Sequence, residues 1–123
     1  MSKPKILIVE DELSLVEALN RKFTKAGFEV LEANDGEAGL KIALDEKPDA
    51  VILDILMPKM DGMEAMKQIR QDKKWGKCVP IIMLTNINDS TTVSEAANYQ
   101  VFDFLVKTDW RLDDVVDLAQ SKL

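Results

Sequence analysis

The chain has 123 residues, 46% of them hydrophobic and 31% charged, with 16 Lys and Arg against 22 Asp and Glu for a formal charge of −6. That length fits one domain able to bury its own core without a disulfide or structural metal, and the acidic balance argues against direct binding to a nucleic-acid backbone. The lack of any histidine excludes imidazole metal ligands, Ser-His-Asp triads and phosphohistidine chemistry within the chain, and the single cysteine, Cys78, excludes an intramolecular disulfide.

The opening residues run into an apolar stretch too short for a signal-peptide core, and no later stretch approaches a membrane span. A cytoplasmic location with no membrane partner is therefore expected. The first predicted strand covers 6–9 and stops at Glu10-Asp11. A helix follows, with Val16, Leu19, Phe23 and Ala26 on its apolar side, Glu17, Arg21, Lys22 and Lys25 on the other, and Gly27 closing it. A second strand over 28–31 leads to Asn34-Asp35, and a second helix over 37–46 ends before Pro48. The third strand, 50–53, ends in Asp54. The third helix is expected over 62–73, with Met63, Met66, Ile69 and Arg70 at helical spacing and the two methionines as core filler. A fourth strand over 80–84 ends in Thr85, and a weakly patterned helix spans 90–99. The last strand, 104–106, ends in Lys107. The last helix starts near Leu112, with Val115, Val116 and Ala119 inward and Asp113, Asp114 and Asp117 on a solvated face.

Near-continuous Ile, Val and Leu runs alternating with helices imply βαβ units and a parallel sheet covered on both faces. Five such units predict an α/β, flavodoxin-like doubly wound fold with a five-stranded parallel sheet in the order 2-1-3-4-5. They use the whole of residues 1–123, so one domain is expected.

Ligands in such sheets bind beyond the carboxyl ends of the strands. Strands one, three, four and five would bring Glu10, Asp11, Asp54, Thr85 and Lys107 to one patch. Like charges about 4 Å apart repel by roughly 4 kcal/mol at an effective dielectric of 20, which a raised pKa or a divalent cation relieves. An all-oxygen donor set selects a hard ion such as Mg²⁺. With the Lys107 ammonium and the Thr85 hydroxyl alongside, the patch suits phosphoryl binding, and Asp54 is the candidate nucleophile for an aspartyl phosphate. Taken singly, each residue has a plainer reading. Glu10, Asp11 and Glu12 are candidate helix caps, Asp54 a turn residue, Thr85 a strand-end hydroxyl and Lys107 a solvated lysine. Their convergence on adjacent strand ends favours the functional reading.

Four motifs in this order resemble the receiver domain of bacterial two-component response regulators, of the stand-alone, chemotaxis-regulator kind. They are Ile6-Leu7-Ile8-Val9-Glu10-Asp11, Asp54-Ile55-Leu56-Met57-Pro58-Lys59-Met60-Asp61-Gly62, Pro80-Ile81-Ile82-Met83-Leu84-Thr85 and Asp103-Phe104-Leu105-Val106-Lys107. The resemblance implies that Asp54 accepts a phosphoryl group from a histidine on a partner sensor kinase or histidine phosphotransferase. It implies a Mg²⁺ site of Asp11, Asp54, the Leu56 carbonyl and, through water, Glu10. It also implies that Thr85 and Lys107 hold the phosphoryl oxygens, that the Phe104 rotamer follows Thr85, and that a downstream protein is contacted through the helix 4–strand 5–helix 5 face. Such a domain is a signalling switch that catalyses only its own phosphoryl transfer and dephosphorylation. Kinase docking is expected around Leu13, Ser14 and Glu17, with Leu15 belonging either there or to the core.

Three positions depart from the family pattern. Thr108 follows Lys107 where proline is usual, Asn86 follows Thr85 where a small residue is common, and Gln100-Val101 stands where Gly-Ala is frequent. Three other functions share parts of this pattern. A haloacid-dehalogenase-like phosphatase needs a second Asp two residues after its nucleophile, where this chain has Leu56 after Asp54 and Leu13 after Asp11. A flavodoxin-like carrier needs a Ser/Thr/Gly-rich loop after strand one, where this chain has Glu10-Asp11-Glu12. An unphosphorylated interaction module keeps the fold without the chemistry.

Overall fold

The computed structural model of the chain describes residues 3–57, 59–85, 90–101, 103–106 and 111–123. Strands and helices alternate: β1 (Lys5–Val9), α1 (Leu13–Lys25), β2 (Glu29–Ala33), α2 (Gly36–Glu46), β3 (Ala50–Asp54), α3 (Gly62–Arg70), β4 (Ile81–Thr85), α4 (Ser90–Ala97), β5 (Asp103–Val106) and α5 (Leu112–Ser121). The strands form one parallel sheet in the order β2-β1-β3-β4-β5, the expected doubly wound α/β arrangement.

Alternate residues of each strand point to opposite faces, so the apolar runs feed two cores. Ile6, Ile8, Ile52, Ile82 and Leu84 pack with Leu19 and Phe23 of α1 and Val115, Val116 and Ala119 of α5. Leu7, Val9, Val51, Leu53 and Met83 pack on the other face with Ala43, Ala65, Met66, Ile69 and Ala96 of α2, α3 and α4. Strands β3 and β4 are buried along their whole length, as strands covered on both sides must be. The edge strand β2 is mostly part-exposed, which explains why its polar Glu29 and Glu32 are tolerated.

The expected elements are all present, with boundary corrections. Helix α1 ends one residue before Ala26, which is exposed as the C-cap rather than apolar-face, and Gly27 then takes φ +96°. Helix α3 stops at Arg70, short of Lys73. Past it, the Gly76 amide donates to Asp72 Oδ2 at 2.6 Å and the Trp75 indole to the Pro48 carbonyl at 2.6 Å, which fold the chain back toward β4. Helix α4 ends at Ala97 rather than Tyr99. Met66 is fully buried and Met63 packs beside the same core, as filler should. Leu15 packs on the α1–α5 side, which assigns it to the core, whereas Leu13 is 66% exposed.

Candidate functional site

The register sets the site. Val9 pairs with Leu53 and Asp54 with Leu84, so Glu10, Asp54 and Thr85 leave neighbouring strands at the same carboxyl end of the sheet. Single carboxylate oxygens of Glu10, Asp11 and Asp54 all lie within 4.8 Å of one another, a group able to hold a metal ion. Glu10 is fully buried and Asp54 is 4% exposed, while Asp11 is open to solvent. Buried carboxylates are rare unless paired, hydrogen-bonded or bound to a cation. The Asp11 amide donates to Glu10 Oε2 at 3.0 Å. The donors are all oxygen, which fits a hard divalent cation such as Mg²⁺ and fits zinc or copper poorly.

These carboxylates are not helix caps. Glu12 occupies the N-cap position of α1 without a side-chain cap bond, and no acidic residue lies in that helix's first turn. Thr85 is buried at the end of β4, one residue past the partner of Asp54. Phe104 is half-buried against the core on the α2–α3–α4 face, opposite Met83 in the β4–β5 register. Leu56 lies in the bend just past β3 with its side chain 66% exposed. Lys107, and with it Asn86 and Thr108, lies outside the described residues.

The loop leaving Asp54 is held from two sides. The Gly62 amide donates to the Ile55 carbonyl at 2.8 Å, and a Cβ on Gly62 would stand 2.1 Å from the Asp54 carbonyl oxygen, so only glycine permits this closure. Asp61 caps α3, its Oδ1 accepting the Glu64 amide at 2.9 Å. On the other side Asp35 caps α2 through the Ala38 amide at 2.8 Å and also meets Lys59 Nζ at 3.7 Å. A Cβ on Gly36 would stand 1.8 Å from the Met60 carbonyl oxygen, so the loop rests directly on the start of α2. Sequence reasoning gave Asn34-Asp35 only a minor place beside the site. The signal was the repeated Asp-Gly pair, Asp35-Gly36 and Asp61-Gly62, each a cap acceptor followed by a close approach.

The sequence profile of the response regulator receiver domain matches residues 6–119, and the chain belongs to that family. The alkaline phosphatase synthesis transcriptional regulatory protein PhoP of Bacillus subtilis (strain 168) is 48% identical over 81 residues, covering 66% of this chain and 32% of that protein. A probable transcriptional regulator ycf27 of Guillardia theta is 41% identical over 106 residues, covering 86% of this chain and 40% of that protein. The chain thus spans well under half the length of these two curated relatives. Among solved structures, the chemotaxis response regulator CheY4 of Vibrio cholerae superposes with a TM-score of 0.88 at 30% identity, covering 99% of this chain and 100% of that one. A CheX-CheY-BeF3-Mg²⁺ complex from Borrelia burgdorferi contains a chain matching with a TM-score of 0.83 at 30% identity, covering 96% of this chain and 87% of that one. Among the described residues, no helix is long and apolar enough to cross a membrane.

Proposed function

We propose that residues 1–123 form one receiver domain of a two-component phosphorelay, with Asp54 as the phosphoacceptor. A carboxylate oxygen of Asp54 attacks the phosphorus of a phosphohistidine on a partner sensor histidine kinase or histidine phosphotransferase. The P–N bond breaks, a P–O bond forms, and the partner's imidazole leaves. The observation that carries this reading is the clustering of the Glu10, Asp11 and Asp54 carboxylates at the strand ends of a receiver-family fold. The absence of histidine agrees with a donor on another protein.

Mg²⁺, held by Asp11, Asp54, the Leu56 carbonyl and, through water, Glu10, would offset the negative charge of the incoming phosphoryl oxygens. The Thr85 hydroxyl and the Lys107 ammonium are assigned to those oxygens, and Phe104 to the aromatic switch coupled to Thr85. The output is a change of protein–protein contacts on the α4–β5–α5 face. This is a local charge change biasing a two-state element. With a charge of −6, the domain itself is assigned no nucleic-acid contact. It is assigned to the cytoplasm, with no membrane partner and no turnover of a separate substrate.

The test is intact mass after incubation with an acyl phosphate, with and without Mg²⁺, beside Asp54→Asn. The expected result is one phosphoryl group, added only with Mg²⁺ and only to the parent chain. Uptake by Asp54→Asn would move the acceptor elsewhere. No uptake from either the acyl phosphate or a phosphorylated histidine phosphotransferase would favour an unphosphorylated interaction module.

A further inference from the structure

Helix α4 belongs to the proposed output face, and its C-terminal end is held in a specific way. Its C-terminal end closes in a hydrogen-bonded lock. The Val101 amide donates to the Ala96 carbonyl at 3.1 Å and the Gln100 amide to the Ala97 carbonyl at 3.0 Å. Gln100 takes the left-handed φ of 57°. These are the two bonds and the backbone turn of a Schellman motif, and the buried Ala96 and Val101 supply its apolar contact.

Onto this end comes Arg70, the last residue of α3. Its Nε donates to the Tyr99 carbonyl at 2.8 Å, and its Nη2 reaches the Gln100 carbonyl at 3.5 Å. Its Nη1 donates to the Gly76 carbonyl at 2.8 Å and the Val79 carbonyl at 2.7 Å. One guanidinium therefore satisfies carbonyls of two separate segments, the turn after α4 and the turn before β4. Burial pulls its pKa below the usual arginine range, which marks a charge that is costly to leave unpaired. Nearer the middle of the helix, Lys67 of α3 pairs with Glu95 of α4.

The opposite end of α4 reads Ser90-Thr91-Thr92-Val93, hydroxyl and β-branched residues with low helix propensity. That end lies toward Thr85 and the acidic cluster. The clamp lies at the other pole of the sheet, where β4 and β5 begin.

We propose that Arg70 is a positioning residue that makes the C-terminal end of α4 a fixed pivot, so that switching moves the Ser90–Val93 end and leaves residues 98–101 in place. This rests on the receiver reading above. The fork of donors is specific to arginine, since a lysine ammonium is a point charge that cannot span both turns at once.

The test is amide hydrogen exchange of the full chain, without ligand and with Mg²⁺ plus beryllofluoride, an aspartyl-phosphate mimic. In the parent chain, the mimic is expected to change exchange in residues 90–93 by about tenfold and to leave 98–101 nearly unchanged. In Arg70→Met, residues 98–101 should exchange about tenfold faster without ligand and become sensitive to the mimic. Arg70→Lys, a milder variant, should fall between the two. An equal response at both ends of α4 in the parent chain would overturn the pivot, as would unchanged exchange at 98–101 in both variants. Intact mass separates the two readings. A chain that takes up a phosphoryl group yet fails the exchange test loses only the pivot, whereas one that takes up none loses the receiver reading and the pivot together.

Discussion

Gln100 holds a left-handed backbone that costs a residue with a Cβ roughly 1–2 kcal/mol, and glycine is the usual occupant of such a helix-ending position. Gln100→Gly should therefore raise the unfolding free energy by about 1 kcal/mol, seen as a higher urea midpoint at unchanged slope. A fall in the midpoint would mean that contacts of the Gln100 side chain outweigh the backbone strain. The carboxylates of the cluster make a second residue-scale prediction. Three of them within 4.8 Å repel in the absence of a cation, so Asp54→Asn should melt higher than the parent chain in chelator, by about 1 kcal/mol after solvent screening. Addition of Mg²⁺ to about a hundred times its Kd should then stabilise the parent by about 2.7 kcal/mol and the variant by much less. Differential scanning calorimetry in chelator and in Mg²⁺ checks both halves, and a variant that melts lower in chelator would show that Asp54 forms more favourable contacts than repulsive ones. These carboxylates were legible in the sequence because each interrupts an apolar run at a strand end. Arg70 was legible only as a helical position, since its partners are backbone carbonyls that no side-chain pattern encodes.

At the scale of elements, the start of α2 and the loop after β3 behave as one unit. Gly36→Ala would drive a Cβ into the Met60 carbonyl, with an expected loss of about 2 kcal/mol as the loop is pushed off the helix. Mg²⁺ affinity should fall with it although no carboxylate is altered, measurable by titration of the still-folded variant. Retained affinity would show that the loop adjusts without disturbing the cluster. Helices α1 and α5 are joined by Lys22 and Asp113 at 3.0 Å, and the hydrogen bond from Lys22 holds the Asp113 carboxyl below its usual range. A depressed carboxylate pKa contributes stability that is present above about pH 4 and lost as the pH falls through the folded value. Asp113 is exposed and Lys22 part-exposed, so Asp113→Asn should barely move the melting temperature at pH 7 and only soften the acid limb of the stability profile, with added salt shrinking even that. Helix ends were the least legible elements. The polar stretch Gln71-Asp72-Lys73 holds no helix breaker, but the Gly76 amide on Asp72, the Trp75 indole on the Pro48 carbonyl and the Arg70 guanidinium on the Gly76 carbonyl turn the chain back first. Leu15 likewise could be given to the core only once α1 lay on the sheet.

The whole molecule divides its tasks by direction. Across the sheet, two cores fill both faces and supply the stability. Leu53, fully buried on the α2–α3–α4 side, should cost about 3 kcal/mol as Leu53→Ala, read as a drop in the urea midpoint, whereas a loss under about 1 kcal/mol would mean the core relaxes into the gap. Along the strands, one pole gathers the acidic cluster and the other gathers the carbonyls held by Arg70. This polarity follows from the parallel order, which sends every strand's carboxyl end the same way.

Cys78 stands at the clamped pole, exposed, just before β4, and it is the only thiol in the chain. Its amide is tied to the Trp75 carbonyl at 3.2 Å, and its neighbour Val79 is one of the carbonyls Arg70 holds. A maleimide dye placed there needs no prior cysteine removal and sits far from the carboxylates. It would serve as a surveyor's benchmark: in a two-colour distance measurement against a probe at residues 90–93, any change in length would be assigned to the far label alone.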